Sequence, residues 1–176
     1  MKSRDILLHG PSKNYVSAYH WHQMELGVIA SYTPNAEDVK DHFGVFRGVD
    51  MIESFCQATA ASLSIFFSCY KRDKSLAEAH EEIIPLFISI GKVNFMNYLK
   101  EGETFISMGK IKFYKFRQMV CDGRIYKVPA NIDLNDFFKN YTATQFNNYD
   151  LPEAFTLVAE LYDITGRGFK KNKLEI

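Results

Sequence analysis

Residues 48–70 constrain the fold more than any other part of this 176-residue chain. Their only charges, Asp50 and Glu53, lie where the first two turns of a helix would be, and residues 54–70 are uncharged. Helical periodicity places apolar residues on nearly every face, so this helix must be enclosed by other elements. The uncharged run is shorter than a usual bilayer span and carries four Ser, one Thr and one Gln. We therefore expect a buried central helix and no membrane span.

Strand patterns surround this helix along the chain. Residues 14–33 predict one bent strand or a hairpin, and further antiparallel strands are predicted at 84–90, 93–96, 104–114, 117–121, 124–128 and 154–164. The dipeptide Asp122-Gly123 is typical of a hairpin turn. Residues 129–152 predict an irregular insertion with one helical turn at 135–139, and long irregular segments of this kind often carry function, for example as a lid.

Few segments have the amphipathic pattern of a crossover helix, which argues against a doubly wound parallel sheet and favours the α+β class. A single domain over residues 1–176, with a curved antiparallel sheet wrapped around one central helix, satisfies the whole pattern.

Composition narrows the class of protein. The 21 basic and 21 acidic side chains cancel, which argues against nucleic-acid binding. Three cysteines without a ligand pattern favour a reducing compartment, so we expect a cytoplasmic protein. The N-terminal apolar stretch is only three residues long, too short for a secretory signal. His20 and His22 have strand spacing for one face, but zinc needs three or four ligands, so no metal or other cofactor is expected.

Chemistry is concentrated around the start of the central helix. Ionised Glu53 would be costly to enclose, so this side chain could stay protonated and donate a proton. Gln57 lies four residues further on and faces the same site. The amides of Gly48 and Val49 suit a carbonyl that gathers negative charge, and His42, just upstream, is the natural base near neutral pH. A base, an acid and an oxyanion-binding helix end are the groups needed to eliminate water from a 3-hydroxyacyl thioester.

The order of these residues resembles a known family. Asn35, His42-Phe43, Gly48-Val49 and the following Glu53 and Gln57-Ala58 are similar to the hotdog-fold 3-hydroxyacyl-acyl-carrier-protein dehydratases of fatty-acid synthesis. That family has an Asn-Glu-x-Phe-Phe segment, a His-Phe-Pro-Gly-His-Pro loop, Pro-Gly-Val, an apolar triplet, Glu, and Gln-Ala. Residues 92–103 also resemble the family's Lys-Ala-Arg-Phe strand and Pro-Gly-Asp turn. The resemblance covers roughly residues 14–120 and the closing strand.

The resemblance implies a hotdog fold, a homodimer or higher oligomer, and an active site in which the His of one chain faces the Glu of the other. Carried over, His42 is the base, Glu53 is the acid, and the amides of Gly48 and Val49, with Gln57, contact the substrate. Acyl carrier protein or coenzyme A would carry the thioester, and Phe- and Ile-rich walls would line an acyl tunnel. Basic residues that could meet an acidic carrier protein are Arg47, Lys71 and Arg72.

The chain also departs from that family. The loop from His42 to Gly48 is three residues shorter and lacks the second His and both Pro, Asn94 replaces the strand Arg, and Glu101 replaces the turn Pro. Two alternatives therefore stay open. One is a hotdog thioesterase, in which Glu53 activates water. The other is an inactive hotdog subunit that binds an acyl chain or pairs with an active homologue. Cys56, one helical turn from Glu53, is a weaker candidate for a nucleophile, because cysteines buried in helices are usually inert.

Overall fold

The computed structural model describes residues 7, 10–73 and 75–173. A continuous helix passes through the middle of the fold and consists of α1 (Gly48–Cys56), a π-helical segment (Gln57–Ala61) and α2 (Ser62–Arg72). Phe55 and Leu63 of this helix have no exposed surface. The enclosed central helix predicted for residues 48–70 is confirmed.

In the described part of the chain, nine strands accompany the helix. They are β1 (Ala18–Gln23), β2 (Gly27–Tyr32), β3 (Val45–Phe46), β4 (Ile83–Ser89), β5 (Lys92–Phe95), β6 (Leu99–Lys100), β7 (Phe105–Lys115), β8 (Gln118–Lys127) and β9 (Thr156–Lys170). Seven form one antiparallel sheet in the order β1-β2-β7-β8-β9-β4, in which β5 also pairs with β9, while β3 and β6 form a separate pair. The described residues also form the α-helices α3 (Leu76–Glu82), α4 (Leu134–Phe138) and α5 (Ala143–Asn148).

Two facing glycines let the central helix approach the sheet. Gly109 of β7 is paired with Gly123 of β8. A Cβ atom at Gly109 would lie 1.9 Å from the Thr59 side chain, and one at Gly123 would lie 2.5 Å from the Phe55 ring. The hairpin turn predicted at Asp122-Gly123 is therefore wrong, because Gly123 stands in mid-strand to make room for the helix. The turn lies instead at residues 116–117, both of which have positive φ, as a two-residue hairpin turn requires.

The last strand is longer than predicted. The pattern placed its end near Ile164, before Gly166, but β9 continues to Lys170. Gly166 pairs with Met119 of β8 on one side and with Phe87 of β4 on the other. Backbone pairing on both edges compensates for the weak strand propensity of glycine, so the strand does not stop there.

A second apolar layer covers the opposite face of the sheet. In β2, Val28 and Ala30 pack in the core around the central helix, whereas Ile29 between them packs in a separate cluster with the segment that follows β8. The irregular insertion predicted for residues 129–152 is thus a structured element that carries α4 and α5. Because it lies on the other face of the sheet from the central helix, it does not cover the helix as a lid.

Phe146 anchors this second layer, and its loss should be costly. Its ring is fully buried and stacks on Trp21 with 4.4 Å between ring centroids. We expect Phe146→Ala to lower the free energy of unfolding by about 3–5 kcal/mol, the usual cost of a large buried cavity. Urea unfolding measures this, with Phe116→Ala at the exposed turn as the control, expected within about 0.5 kcal/mol of wild type. Equal loss in both variants would contradict the prediction.

His20 and His22 do not share a face of β1. The register of β1 against β2 shifts between Tyr19 and Trp21. His20 therefore lies beside Phe138 in the outer layer, while His22 lies 4.7 Å from the Phe66 ring of the central helix. The spacing predicted one face because it assumed an unbroken two-residue period, which the bulge interrupts. Among the described residues, no group of three His, Cys, Asp or Glu side chains could hold a metal ion.

The environment of His20 predicts a pH-dependent stability. Its Nδ1 donates to Asn135 Oδ1 (2.9 Å) and its Nε2 accepts from the Ser31 hydroxyl (2.8 Å), while burial lowers its pKa below the ordinary value. The folded state then binds fewer protons than the unfolded state as pH falls through 6.5 and below, so stability is lost in that range. The urea midpoint of wild type should fall more between pH 8 and pH 5.5 than that of His20→Gln. Equal falls would contradict this.

No helix in the described part of the chain is both long enough and apolar enough to cross a bilayer.

Candidate functional site

The loop between β2 and α1 is ordered by short polar contacts. Asn35 Oδ1 accepts from the backbone N–H of Glu37 (2.9 Å), so this asparagine caps the turn that follows it. Asp38 Oδ2 accepts from the Asn35 N–H (2.8 Å) and from the Tyr32 hydroxyl (2.7 Å). These bonds tie the loop to the end of β2 and fix the position from which His42 projects.

His42 is held by its backbone and by its ring. Its N–H donates to the Val39 carbonyl (3.1 Å), and its carbonyl accepts from the Val45 N–H (3.0 Å). Ring atom Nδ1 lies 3.0 Å from the Val45 carbonyl oxygen. Because a carbonyl only accepts, Nδ1 carries the proton in this bond, and in the neutral ring Nε2 keeps its lone pair. This is the tautomer that a general base needs.

The central helix begins one residue after Arg47. The N–H groups of Asp50 and Met51 both donate to the Arg47 carbonyl (3.0 Å each), while the first helical amides, those of Gly48 and Val49, have no partner within a helix. A Cβ atom at Gly48 would lie 2.9 Å from the Phe95 ring, so β5 packs closely over the start of the helix. The two amides that the sequence predicts as an oxyanion site thus lie at this helix end, close to the Phe95 ring.

Glu53 and Gln57 are in direct contact. Gln57 Nε2 donates to Glu53 Oε1 (2.8 Å) and to the Lys13 carbonyl (2.7 Å), while Gln57 Oε1 accepts from the Tyr15 N–H (2.9 Å). Glu53 is half-buried and Gln57 is fully buried. The predicted sharing of one face is confirmed, and one amide orients the carboxyl group and fixes the N-terminal segment on the helix.

A cleft of about 700 Å³ opens between the N-terminal segment and the loop. His42, Arg47, Tyr15, Tyr32 and Asp38 are among its lining residues. Within the described residues of one chain, no ion pair joins His42 to Glu53. Within one chain, Glu53 therefore contacts Gln57, whereas His42 lines the cleft.

The remaining predicted candidates have partners within the chain. Arg47 forms a two-point ion pair with Asp50 (2.6 and 2.8 Å). The Lys71 ammonium lies 4.9 Å from the centre of the Tyr114 ring, and Arg72 lies 3.2 Å from Glu82. Burial raises the pKa of the Cys56 thiol, which disfavours the thiolate that a nucleophile requires.

Two residues of this region were not singled out from the sequence. Tyr15 lines the cleft, and Ser54 donates to the Tyr15 carbonyl (2.7 Å) from the central helix. The sequence pattern places Tyr15 in a strand and Ser54 in the enclosed helix. Their contact joins residues 39 positions apart and therefore leaves no signal in the local sequence. The available indication of this contact was Gln57, because an amide side chain in an enclosed helix needs hydrogen-bond partners from other segments of the chain.

Comparison with known proteins identifies the fold. No family model matches the chain, and no curated protein sequence matches it either. Several solved structures do match the chain. The dehydratase heterocomplex ApeI:P from Xenorhabdus doucetiae is 11% identical with a TM-score of 0.65, covering 98% of this chain and 93% of that chain. A hypothetical protein from Staphylococcus aureus, in mutant form, is 16% identical with a TM-score of 0.51, covering 87% of this chain and 93% of that chain.

A 1,4-dihydroxy-2-naphthoyl-CoA thioesterase from Synechocystis is 12% identical, with a TM-score of 0.47 and coverage of 81% of this chain and 82% of that chain. At such identities the likeness concerns the fold alone. The structures with TM-scores of 0.65 and 0.51 support an α+β hotdog fold for this chain. The helix-and-sheet pattern predicted the α+β class, and the family resemblance implied the hotdog fold.

Proposed function

We propose that this protein is a dehydratase that converts 3-hydroxyacyl thioesters to trans-2-enoyl thioesters. The observation that carries the proposal is the bond from His42 Nδ1 to the Val45 carbonyl (3.0 Å), because it leaves Nε2 of the neutral ring as a base at the edge of a cleft. The hotdog fold, in which a solved structure is that of a dehydratase heterocomplex, agrees with this chemistry.

The proposed reaction is the elimination of water across C2 and C3 of the acyl chain. His42 Nε2 takes the proton from C2 of the acyl chain, and the amides of Gly48 and Val49 stabilise the negative charge that develops on the thioester oxygen. The C2 electron pair then forms the double bond to C3, and the C3–O bond breaks. Protonated Glu53 gives its proton to the departing hydroxyl group, which leaves as water.

A complete site in this proposal needs two copies of the chain, with the His42 of one copy facing the Glu53 of the other. The sheet offers an edge for such pairing, because β4 and β5 lie at its end and carry exposed apolar side chains. Unpaired edges of this kind are templates for strand pairing. The exposed large apolar residues of this edge and of the turn after it are Leu86, Phe87, Ile88, Ile90, Phe95, Met96 and Tyr98.

A thioesterase is the second candidate, and the contact between Glu53 and Gln57 favours it. Gln57 donates to the carboxyl group at 2.8 Å, so an ionised Glu53 could be held in place to activate water without help from His42. The thioester would then be cut into a free acid and a thiol, with no double bond formed.

One assay separates these functions. Purified protein is incubated with 3-hydroxyacyl thioesters of acyl carrier protein and of coenzyme A at several chain lengths. The conjugated 2-enoyl thioester is followed by its absorbance, and released thiol is followed with a disulfide dye. Enoyl product supports the dehydratase. Free thiol without enoyl product would replace it by the thioesterase, and neither product on any substrate would favour a subunit that only binds or pairs.

A further inference from the structure

The cleft beside His42 contains a tyrosine that the proposed reaction does not use. Tyr15 lines this cleft together with His42, Arg47, Tyr32 and Asp38, and only 7% of its surface is exposed. It lies in the N-terminal segment that precedes β1, far in sequence from the central helix.

The backbone of Tyr15 is fixed on the central helix from both sides. Its N–H donates to Gln57 Oε1 (2.9 Å), and its carbonyl accepts from the Ser54 hydroxyl (2.7 Å). The ring packs edge-on against the rings of Tyr32 and Phe46, with 5.7 Å between centroids in each pair. The side chain therefore has little freedom to leave its present position.

The Tyr15 hydroxyl has no hydrogen-bond partner in the described part of the chain. The neighbouring Tyr32 hydroxyl, in contrast, donates to Asp38 Oδ2 (2.7 Å). Among the described residues, the fully enclosed side-chain atoms without a partner are Ser107 Oγ and one Arg117 nitrogen, so the Tyr15 hydroxyl is not sealed in and is reached from the cleft. The Tyr15 hydroxyl must therefore find its partner in the cleft, and a ligand oxygen there would accept its hydrogen bond.

Burial and nearby carboxylates keep the Tyr15 hydroxyl a donor. Burial, and after it the carboxylates of Asp50 and Asp38, raise the pKa of Tyr15 above its ordinary value. The phenol consequently stays protonated at every pH at which the protein would work.

We propose that Tyr15 is a substrate-binding residue whose hydroxyl donates a hydrogen bond to an oxygen of an acyl thioester in this cleft. The inference rests on the proposed function for the class of ligand, but it holds for a dehydratase, a thioesterase or a binding subunit alike. Gln57 connects the two parts of the site, since the same amide side chain binds the Tyr15 backbone and the Glu53 carboxyl group.

The test compares Tyr15→Phe with a matched control, Tyr19→Phe. The hydroxyl of Tyr19 is buried and bonded to Ser62 Oγ, away from the cleft. Binding of S-(2-oxopentyl)-coenzyme A, which keeps a carbonyl oxygen but resists hydrolysis, is measured by titration calorimetry. The melting temperature and the turnover of 3-hydroxyacyl thioesters are measured beside it. Tyr15→Phe should bind the analogue up to about tenfold more weakly, as expected for one neutral hydrogen bond, without a lower melting temperature. Tyr19→Phe should melt lower and bind as wild type does.

The outcomes separate this inference from the proposed function. If wild type binds the analogue but forms no enoyl product, and Tyr15→Phe binds it more weakly, the dehydratase fails and the role of Tyr15 stands. The role of Tyr15 is overturned if the variant binds as tightly as wild type, if wild type binds no analogue, or if Tyr15→Phe melts as low as the control.

Discussion

Replacing His42 by alanine is expected to lower kcat for dehydration by about 10²–10⁴-fold, the usual contribution of a positioned general base. The loss should appear in kcat, because the imidazole acts on the C2 proton in the transition state and contributes little to holding the substrate. Folding should change little, since the loop keeps its backbone bonds from His42 to Val39 and Val45. Steady-state kinetics with a 3-hydroxyacyl thioester, and a melting curve, measure both effects.

The matched control for this variant is His22→Ala, which removes an imidazole on β1 that contacts the Phe66 ring and lies outside the proposed site. It should retain the kcat of wild type. If His42→Ala also retained it, His42 would not be the base, and the elimination mechanism would lose the group on which it depends.

The isosteric change Glu53→Gln is expected to lower kcat for dehydration by about 10²–10⁴-fold as well, because glutamine cannot protonate the departing hydroxyl group. Its Oε1 still accepts the bond from Gln57, so the helix and the N-terminal segment should stay in place. Glu160→Gln is the control, since Glu160 is also half-buried but pairs with Arg124 on the sheet (2.9 Å). A Glu53→Gln enzyme as active as wild type would contradict the assignment.

The two variants together test whether the site combines residues from two chains. In a dimer of one His42→Ala chain and one Glu53→Gln chain, one site loses both groups while the other keeps both. Random exchange of chains makes half of the dimers mixed, so mixing the inactive variants should recover about a quarter of wild-type activity. Recovery near zero, with exchange of subunits verified by mass spectrometry, would show that each chain builds its own site or none.

A feature of this fold can be predicted from the sequence when the residues that determine it lie close together along the chain. The central helix was predicted correctly, because enclosure acts on every turn of one continuous segment. The turn predicted at Gly123 was wrong, because Asp-Gly occurs both in tight turns and where a helix closely approaches a sheet. Only the Phe55 ring above Gly123 distinguishes the two cases. The β1 bulge was hidden for a similar reason, since it depends on the register with β2.

The helical turn predicted at residues 135–139 corresponds to α4, whereas α5 was not predicted although both helices carry local start signals. Asp133 caps α4 by accepting from the amides of Asn135 and Asp136, and Thr142 forms a capping box with Gln145 at the start of α5. Both are sequence signatures of helix starts. In the site, the pairing of Glu53 with Gln57 followed from helical spacing, whereas Tyr15 could not be placed, because its position depends on packing across the fold.

The placement of two apolar clusters on opposite faces of one sheet has a consequence for how the molecule opens. α4 and α5 belong to the outer cluster only, whereas Phe55 and Leu63 of the central helix belong to the inner one. Hydrogen exchange of backbone amides should therefore fall into two tiers, because the outer layer can detach and re-dock as one cooperative unit while the helix stays protected. Local opening of the outer layer would leave the His42 loop undisturbed, so instability of the outer layer would not lower activity.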